Sequence, residues 1–262
     1  MTLTLTPLFG IPRVHPGDDL AEIVWQALKQ AAITLVDGDV LVLAQKIVSK
    51  AEGRLVNLAN ITASPRAVEL AGRTAKDPRL VEVILQESRA VLRTRPGTII
   101  VEHRLGFVCA SAGVDHSNVE PETAPGNTGA GNPEDWVLLL PENPDASARA
   151  LRDRLQEWSG GRVGVMIIDS HGRAWRMGTV GVAIGLAGLP GVVDLRGVPD
   201  MFGYQLRITQ VGVADELAAG ASLVMGQAAE ATPVVHVRGF PYPLREGSLT
   251  ELLRPNDQDL FR

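Results

Sequence analysis

The chain has 262 residues, which is enough for one large domain or for two smaller intertwined ones with a sizeable core. Its net charge of −5 and its 21% of charged residues give no sign of a nucleic-acid or membrane partner. No apolar run approaches the roughly 20 residues that span a bilayer, and the start lacks the pattern of a signal peptide. A single cysteine, Cys109, excludes an internal disulfide. These features predict a cytoplasmic protein.

In the first hundred residues, short apolar strands are followed by helices with recognisable caps. An aspartate before an apolar periodic stretch can cap a helix, and a proline fits the first helical turn. The stretch DVLVLA is apolar and β-branched, as in a buried strand. The predicted elements are a strand at 3–9, a helix from Asp18 or Asp19 to about Ala32, a turn at Asp37-Gly38, a strand at 39–44, and helices at 66–74 and 78–90.

The rest of the chain continues the mixture of strands and helices, interrupted by a stretch rich in Pro, Gly and Asn. The predicted elements are a strand pair at 98–102 and 106–110, a loop at 119–135, a strand at 136–140, an Asp145-capped helix to about Trp158, a strand at 162–168, a small-residue stretch at 180–189, a strand at 204–212, a helix at 213–224, a strand at 233–238 and a surface tail at 243–262. Because strands and helices alternate unevenly, we expect an α+β fold with a mixed sheet rather than a doubly wound one.

Several common site motifs are absent from the sequence. It contains no P-loop, no dinucleotide-binding glycine motif and no G-x-S-x-G, and it has no cluster of Cys and His that would suit zinc. Cys109 lies inside an apolar strand, which indicates a buried structural residue. A nucleotide-using enzyme with this sequence would need an uncommon scaffold.

Two segments place an aspartate after an apolar strand. GFVCASAGVDHSNVE leads through small residues to Asp115 and Asn118, and VGVMIIDSHGRAWR leads directly to Asp169 and Ser170. A carboxylate fixed to a rigid element suits a hard cation such as Mg²⁺ or Mn²⁺. Each aspartate alone is explained about as well by the capping of a turn. A two-carboxylate metal site would explain both aspartates at once.

Two further segments suit phosphate. In LVMGQAAEAT a helix is predicted to end near Gly226, so that small residues leave backbone amides open and Glu230 adds a carboxylate. In QKIVSKAEG, Lys46 and Lys50 lie one helical turn apart or on two sides of a bend, where they could neutralise phosphate charge. The alternatives are a glycine C-cap followed by a loop, and a pair of solvated lysines.

Taken together, these segments resemble the coenzyme F-420 γ-glutamyl ligase family. They occur in the family's order from residue 9 to about 239, as FGIPRVHPGDDL, GDVLVLAQKIVSKAEGR, DPRLVEVILQES, VEHRLGFVCASAGVDHSNV, DSHGRAWRMGTVGVAIGLAG and LVMGQAAEATPVVHVRG. The resemblance implies one catalytic unit over 1–262, with two lobes and a groove between them, without the C-terminal flavin-binding domain of some bacterial relatives. It also implies a homodimer.

The resemblance implies a ligase that joins L-glutamate to the deazaflavin precursor coenzyme F-420-0. GTP would phosphorylate the precursor's terminal carboxylate, glutamate would displace the phosphate, and further glutamates would follow through γ-linkages. Two divalent ions, Mg²⁺ or Mn²⁺, would neutralise the phosphates, and a potassium ion is a further candidate cofactor. The alternatives are a GTP-dependent carboxylate–amine ligase acting on another acceptor, and a non-catalytic nucleotide sensor.

Site residues are carried over from the family by position. Asp115 and Asp169 resemble catalytic metal ligands, with Ser170 and Gln227 as further metal-associated residues. The positions that match GTP contacts are Ile11, Pro12, Arg13, Val14, Gln45, Lys46, Lys50, Asn118, Met225, Gly226, Gln227, Ala228, Ala229, Glu230, Ala231 and Thr232. Two departures bear on this set: relatives often have Thr at position 170, and some archaeal relatives have Ser-Thr in place of Gln45-Lys46.

Overall fold

The computed structural model describes residues 2–117, 119 and 135–259. The strands are β1 (Thr4–Pro7), β2 (Val40–Ala44), β3 (Leu55–Asn57), β4 (Ser88–Arg95), β5 (Thr98–His103), β6 (Val108–Ala110), β7 (Trp136–Leu138), β8 (Gly164–Arg173), β9 (Arg176–Ala187), β10 (Val193–Asp194), β11 (Gln210–Val211) and β12 (Val234–Arg238). The helices are α1 (Leu20–Gln30), α2 (Gln45–Ala51), α3 (Pro65–Thr74), α4 (Pro78–Gln86), α5 (Pro144–Ser159) and α6 (Val213–Met225). None of these helices is both long and apolar enough to cross a membrane.

The largest sheet has five strands in the order β1-β12-β2-β8-β9. β2 and β8 are parallel, whereas the other three neighbouring pairs are antiparallel. The sheet is therefore mixed, and it occurs together with helices and smaller antiparallel sheets. This confirms the predicted α+β class with a mixed sheet.

Alternate residues of the sheet form a core with helix α6. Val40, Met166 and Val235 come from three strands of the sheet and pack in one cluster with Leu217 and Ala221 of the helix. Side chains two apart on a strand share a face, so the apolar alternate positions of these strands cover one side of the sheet. The buried cluster fixes α6 over the strands that carry the candidate site.

The described residues divide into two compact units. One unit, formed by residues up to 14 and by 18–48 and 143–258, contains the five-stranded sheet, β10 and β11, and helices α1, α5 and α6. The other unit, formed by 15–17, 49–142 and residue 259, contains β3 to β7 with α3 and α4, and its main core lies between α3, α4 and β5. The single catalytic unit over 1–262 and the groove between lobes stay predictions.

Most local predictions from the sequence are confirmed. The helices near 20–30, 65–74 and 213–225 and the strands near 40–44 and 234–238 lie where the pattern places them. Asp19 caps α1 by accepting the Glu22 N–H, and Cys109 is buried in a strand. Of the predicted loop at 119–135, only its two end residues are among those described.

The prediction of one helix over 78–90 is wrong at its end. Helix α4 stops at Gln86, and strand β4 begins at Ser88 and pairs with β5. Ser88 keeps a link to the helix because its hydroxyl donates to the Ile84 carbonyl at 2.5 Å. The long antiparallel pairing of Ser88–Arg95 outweighs the local helical pattern, which shows tertiary context overriding propensity.

The hairpin of β8 and β9 also departs from prediction. The strand predicted at 162–168 runs on to Arg173, and the unassigned small-residue stretch forms most of the twelve-residue strand β9. The predicted strand at 204–212 shrinks to Gln210–Val211. Before it, the backbone pairs irregularly with residues 195–200, since the Leu206 N–H donates to the Val198 carbonyl and the Asp200 N–H to the Tyr204 carbonyl. The Asp200 carboxylate accepts N–H groups of the turn between them.

Among the later segments, one prediction is wrong and one is incomplete. Asn143, not Asp145, caps α5. Asp145 instead accepts the N–H of Leu186 and of Leu249, and burial raises its pKa despite these bonds. The supposed surface tail is tied down in the same way, since Leu249 is buried and the Glu251 carboxylate accepts backbone N–H groups near the end of β9.

Candidate functional site

Two predicted site segments leave the large sheet side by side. In the parallel pair of β2 and β8, Ala44 lies opposite Ile168. Gln45 and Asp169 are the next residues, so both follow the pair at its carboxyl end. Ligands of open α/β sheets commonly bind beyond this end of parallel strands. The two segments predicted to carry phosphate-neutralising and metal-binding groups therefore meet.

Two more segments reach the same edge of the sheet. The Ala44 N–H donates to the Pro233 carbonyl at 2.8 Å, so the loop after α6 enters β12 there. The Leu8 N–H donates to the Val234 carbonyl at 2.8 Å, so β1 ends beside the start of β12 and the segment Ile11–Val14 follows. We call this edge, at which β1 and β2 end and β12 begins, the site edge.

Asp169 lies within β8 rather than at its end, which corrects the prediction. The strand continues to Arg173 as one arm of the hairpin, with Asp169 opposite Val182 of β9. The carboxylate Oδ2 of Asp169 lies 3.1 Å from Nε2 of His171, and both side chains are mostly buried. Residues two apart on a strand share a face, so this pair points to one side of the hairpin.

Ser170 points to the other face of β8 and contacts the loop that follows helix α6. Its hydroxyl donates to Oε1 of Gln227 at 2.9 Å, and Nε2 of Gln227 donates to Oγ of Ser222 at 2.9 Å. Two of the residues expected to be metal-associated, Ser170 and Gln227, are thus in direct contact. Sequence reasoning missed both Ser222, which lies outside every predicted site segment, and His171, which lies in the segment of Asp169 but carries no signal of its own.

The loop after α6 is a closed turn. Helix α6 stops at Met225, and Gly226 follows with a φ of 75°, a conformation that favours glycine. The Glu230 carboxylate accepts the Ala228 N–H at 2.7 Å, and this bond, with other backbone N–H groups, lowers the pKa of Glu230. The expectation that this loop leaves its amides open is therefore wrong for Ala228.

The hydroxyl of Thr232 closes the same loop at its far end. It is buried and donates to the Met225 carbonyl at 2.9 Å, which joins the end of α6 to the start of β12. Gln227, Ala229 and Ala231 lie between these two fixed points. Hydrogen bonds thus fix both ends of the predicted nucleotide loop, Met225–Thr232, at the site edge.

Helix α2 carries the two predicted lysines. Gln45 begins the helix and is buried, and Lys46 and Lys50 lie one helical turn apart and are half-buried. This confirms the helical spacing among the alternatives. Half-burial argues against the reading of both as freely solvated surface lysines.

Asp115 belongs to the second compact unit. After β6 the chain makes a left-handed turn, in which Ser111, Ala112 and Gly113 all have positive φ values of 51°, 53° and 64°. The Asp115 N–H then donates to the Leu138 carbonyl at 3.0 Å, and its carbonyl accepts the Leu138 N–H at 2.9 Å. A strained turn and a backbone bridge, rather than a strand end, fix the position of this residue. Asn118 lies outside the described residues.

Comparison with known proteins decides which family this site belongs to. The sequence model of a family described as F420-0:Gamma-glutamyl ligase matches residues 9–239, a span that includes every predicted site segment. The chain belongs to the F420-0:gamma-glutamyl ligase family. The resemblance inferred from the ordered motifs is confirmed, and with it membership of a family of ligases.

Members of the F420-0:gamma-glutamyl ligase family match the chain over its full length. The chain is 46% identical to the Coenzyme F420:L-glutamate ligase of Methanothermobacter thermautotrophicus, with 100% of both proteins covered. It is 47% identical to that of Methanopyrus kandleri, covering 100% of the chain and 98% of the relative. It is 40% identical to that of Archaeoglobus fulgidus, covering 100% and 97%.

The donor chemistry at the site edge suits a hard cation. Within the described part of the chain, His, Cys, Asp and Glu side chains form no group of three that could hold a metal ion. Asp169 offers carboxylate oxygens on one face of β8, and Ser170 and Gln227 offer hydroxyl and amide oxygens on the other face. Oxygen donors of this kind fit Mg²⁺ or Mn²⁺ rather than zinc.

Proposed function

We propose that this protein joins L-glutamate to the terminal carboxylate of coenzyme F420-0 with the use of GTP, and adds further glutamates through γ-linkages. One observation carries the proposal: a relative named Coenzyme F420:L-glutamate ligase is 46% identical over the whole of both chains. The convergence of four expected site segments at one edge of the sheet supports it.

The reaction requires activation of a carboxylate. An unactivated carboxylate is a poor acyl donor, so the γ-phosphoryl group of GTP is first transferred to a carboxylate oxygen of the acceptor and GDP leaves. The amine nitrogen of L-glutamate then attacks the acyl carbon. The bond from that carbon to the phosphate oxygen breaks, inorganic phosphate leaves, and the nitrogen loses a proton to give the amide.

Asp115 and Asp169 are the residues we assign as catalytic metal ligands, with Ser170 and Gln227 as further donors. The set is chemically suitable because it consists of carboxylate, hydroxyl and amide oxygens. Divalent ions, Mg²⁺ or Mn²⁺ and expected as two per site, would neutralise the phosphate oxygens during transfer. His171 holds one oxygen of Asp169, an outer contact of the kind that orients ligating carboxylates. A potassium ion belongs to the same proposal.

The segments at the site edge are those we assign to GTP. Lys46 and Lys50 on helix α2 supply positive charge for phosphate. The closed loop after α6 offers a rigid backbone, and Glu230 would have to release Ala228 before that amide could contact a phosphate. From these segments the set is Ile11, Pro12, Arg13, Val14, Gln45, Lys46, Lys50 and Met225–Thr232. Asn118, which lies outside the described residues, belongs to the same proposal.

The test is a complete reaction followed by mass spectrometry. The protein is incubated with F420-0, L-glutamate, GTP and Mn²⁺, and we expect products heavier by successive glutamyl units together with GDP. Asp169→Asn should abolish the product without loss of fold, whereas Asp153→Asn, an exposed aspartate on α5, should not. Phosphate release from GTP that is indifferent to F420-0 would favour a ligase with another acceptor. Nucleotide binding without turnover would favour the sensor.

Exposed apolar side chains support a homodimer. Met201 and Phe202 in the turn before β11 and Met177 in the β8–β9 hairpin are more than 90% exposed, and Trp175 at the hairpin tip is 88% exposed. Exposed apolar side chains that are grouped together mark association surfaces more often than isolated ones do, and these four lie in two such groups. We propose that a second copy of the chain covers them. Cytoplasmic location belongs to the same proposal.

A further inference from the structure

Ser222 ends a directed chain of three polar side chains. It lies in the last turn of α6 with 7% of its surface exposed. Its Oγ accepts from Nε2 of Gln227, whose Oε1 accepts from the hydroxyl of Ser170, each at 2.9 Å. Each group thus donates to the next in one direction, from Ser170 to Ser222. The proposed chemistry uses the first two residues and gives no role to the third.

The direction of this chain matters because an amide has two unlike ends. Only the oxygen of Gln227 can bind a cation or accept from a metal-bound hydroxyl, whereas its nitrogen can only donate. A glutamine held at one end alone can turn over and present the wrong atom. An acceptor placed at the nitrogen prevents this, and a serine on a helix serves as acceptor when its own proton goes to the carbonyl four residues earlier.

The close approach of α6 to the hairpin puts Ser222 in place. Gly181 of β9 lies opposite Ser170 in the β8–β9 register. A Cβ on Gly181 would lie 2.5 Å from Cβ of Ser222 and 2.6 Å from the Ala218 carbonyl oxygen, so only glycine allows the helix to rest on the strand here. Ser222 is therefore held one strand away from Ser170, with Gln227 bridging them.

We propose that Ser222 is a positioning residue of the metal site, which fixes the Gln227 amide with its oxygen toward Ser170. The inference rests on the proposed function, in which Ser170 and Gln227 hold a divalent ion. Residues that orient metal ligands from outside typically change metal affinity by about 10- to 100-fold when removed. The contact here is a single neutral hydrogen bond, so we expect a loss near the lower end, about tenfold.

The experiment measures Mn²⁺ affinity in the presence of GDP, from the electron paramagnetic resonance signal of free Mn²⁺. The variants are Ser222→Ala, Gln227→Ala and the double variant. Ser159→Ala is the matched control, because Ser159 is also in the last turn of a helix of this unit and donates to the Leu155 carbonyl at 2.7 Å. Alanine is well tolerated in helices, so each serine variant should fold.

We expect Ser222→Ala to weaken Mn²⁺ binding about tenfold, Gln227→Ala to weaken it at least as much, and the double variant to match Gln227→Ala. Ser159→Ala should bind as the unchanged protein does. Unchanged Mn²⁺ affinity in Ser222→Ala would overturn the positioning role. So would an equal loss of affinity when Ser222→Ala is introduced into the unchanged protein and into Gln227→Ala. If the unchanged protein binds no Mn²⁺, both this inference and the metal assignment fail. If this pattern of binding appears without glutamate ligation, the ligase proposal fails and the positioning role stands.

Discussion

Replacement of the buried Asp39 by asparagine should change how the stability of the protein depends on pH. Asp39 precedes β2 and is 1% exposed. Its carboxylate accepts two bonds from the Arg238 guanidinium, at 2.9 and 2.7 Å, and lies 2.9 Å from Nε2 of His236. It also accepts the Val36 N–H at 3.0 Å. Asp39→Asn keeps the shape and removes the charge.

The magnitude follows from the pKa of this carboxyl group. Burial opposes ionisation, but the bonds from Arg238 and His236 outweigh it and lower the pKa of Asp39 from 3.8 to about 2. A shift of this size corresponds to about 2 kcal/mol of stability. Because the folded pKa is the lower one, this contribution is complete well above 3.8 and is lost as the pH falls through 3.8 toward 2. Asparagine should remove the contribution at neutral pH and flatten this part of the profile.

The assay is urea unfolding followed by tryptophan fluorescence between about pH 3 and pH 7. The matched control is Asp194→Asn. Arg196 lowers the pKa of Asp194 to about 2 as well, but this pair is exposed and water screens it. We expect a clear loss of stability and of acid sensitivity for Asp39→Asn and little change for Asp194→Asn. Equal effects of the two variants, or an unchanged profile for Asp39→Asn, would refute the argument from burial.

Three further predictions concern packing, the later segments and association. Gly185→Ala should lower the free energy of unfolding by about 1–3 kcal/mol, since its Cβ would lie 2.5 Å from the start of α5, whereas Gly172→Ala meets open space and should be neutral in urea unfolding. Asp145→Ala should leave two buried backbone N–H groups without an acceptor, lower the free energy of unfolding by about 1–3 kcal/mol and expose the C-terminal segment to protease. Asp145→Asn should have a smaller effect, and equal proteolysis of the two variants would contradict this. The double variant Met201→Ser, Phe202→Ser should have the mass of a monomer in light scattering, whereas the unchanged protein should have the mass of a dimer. A dimeric double variant would show that this surface is not the dimer interface.

The elements that the sequence predicts well are those with strong local signals. Helix α1 has an aspartate cap and an apolar stripe, and β2 is a run of apolar, β-branched residues. Strand β9 has neither signal. Its glycines at 181 and 185 are poor strand formers, and they are required because helices rest on the strand at both positions. Because tertiary packing selects these glycines, the local sequence pattern does not predict this strand.

The same reasoning separates the parts of the site. Asp169 stands out as a candidate because it follows an apolar run, and Lys46 and Lys50 stand out because of their helical spacing. Ser222 does not, because its contact with Gln227 depends on how closely α6 approaches a strand that the sequence did not reveal. The sequence assigns no role to His171, and the continuation of β8 as one arm of the hairpin places it beside the Asp169 carboxylate.

The pleat of β8 gives a reason to expect more than one cation at the site edge. Asp169 and Ser170 are adjacent, yet one side chain turns to His171 and the other to Gln227 in the loop after α6. Adjacent side chains of a strand lie on opposite faces, so one ion cannot readily be bound by both. The two groups can serve the same phosphates only if each face has its own cation or if Ser170 contributes its backbone carbonyl. The chain therefore divides its oxygen donors between two faces of one hairpin, which fits a reaction that must neutralise several phosphate oxygens at once.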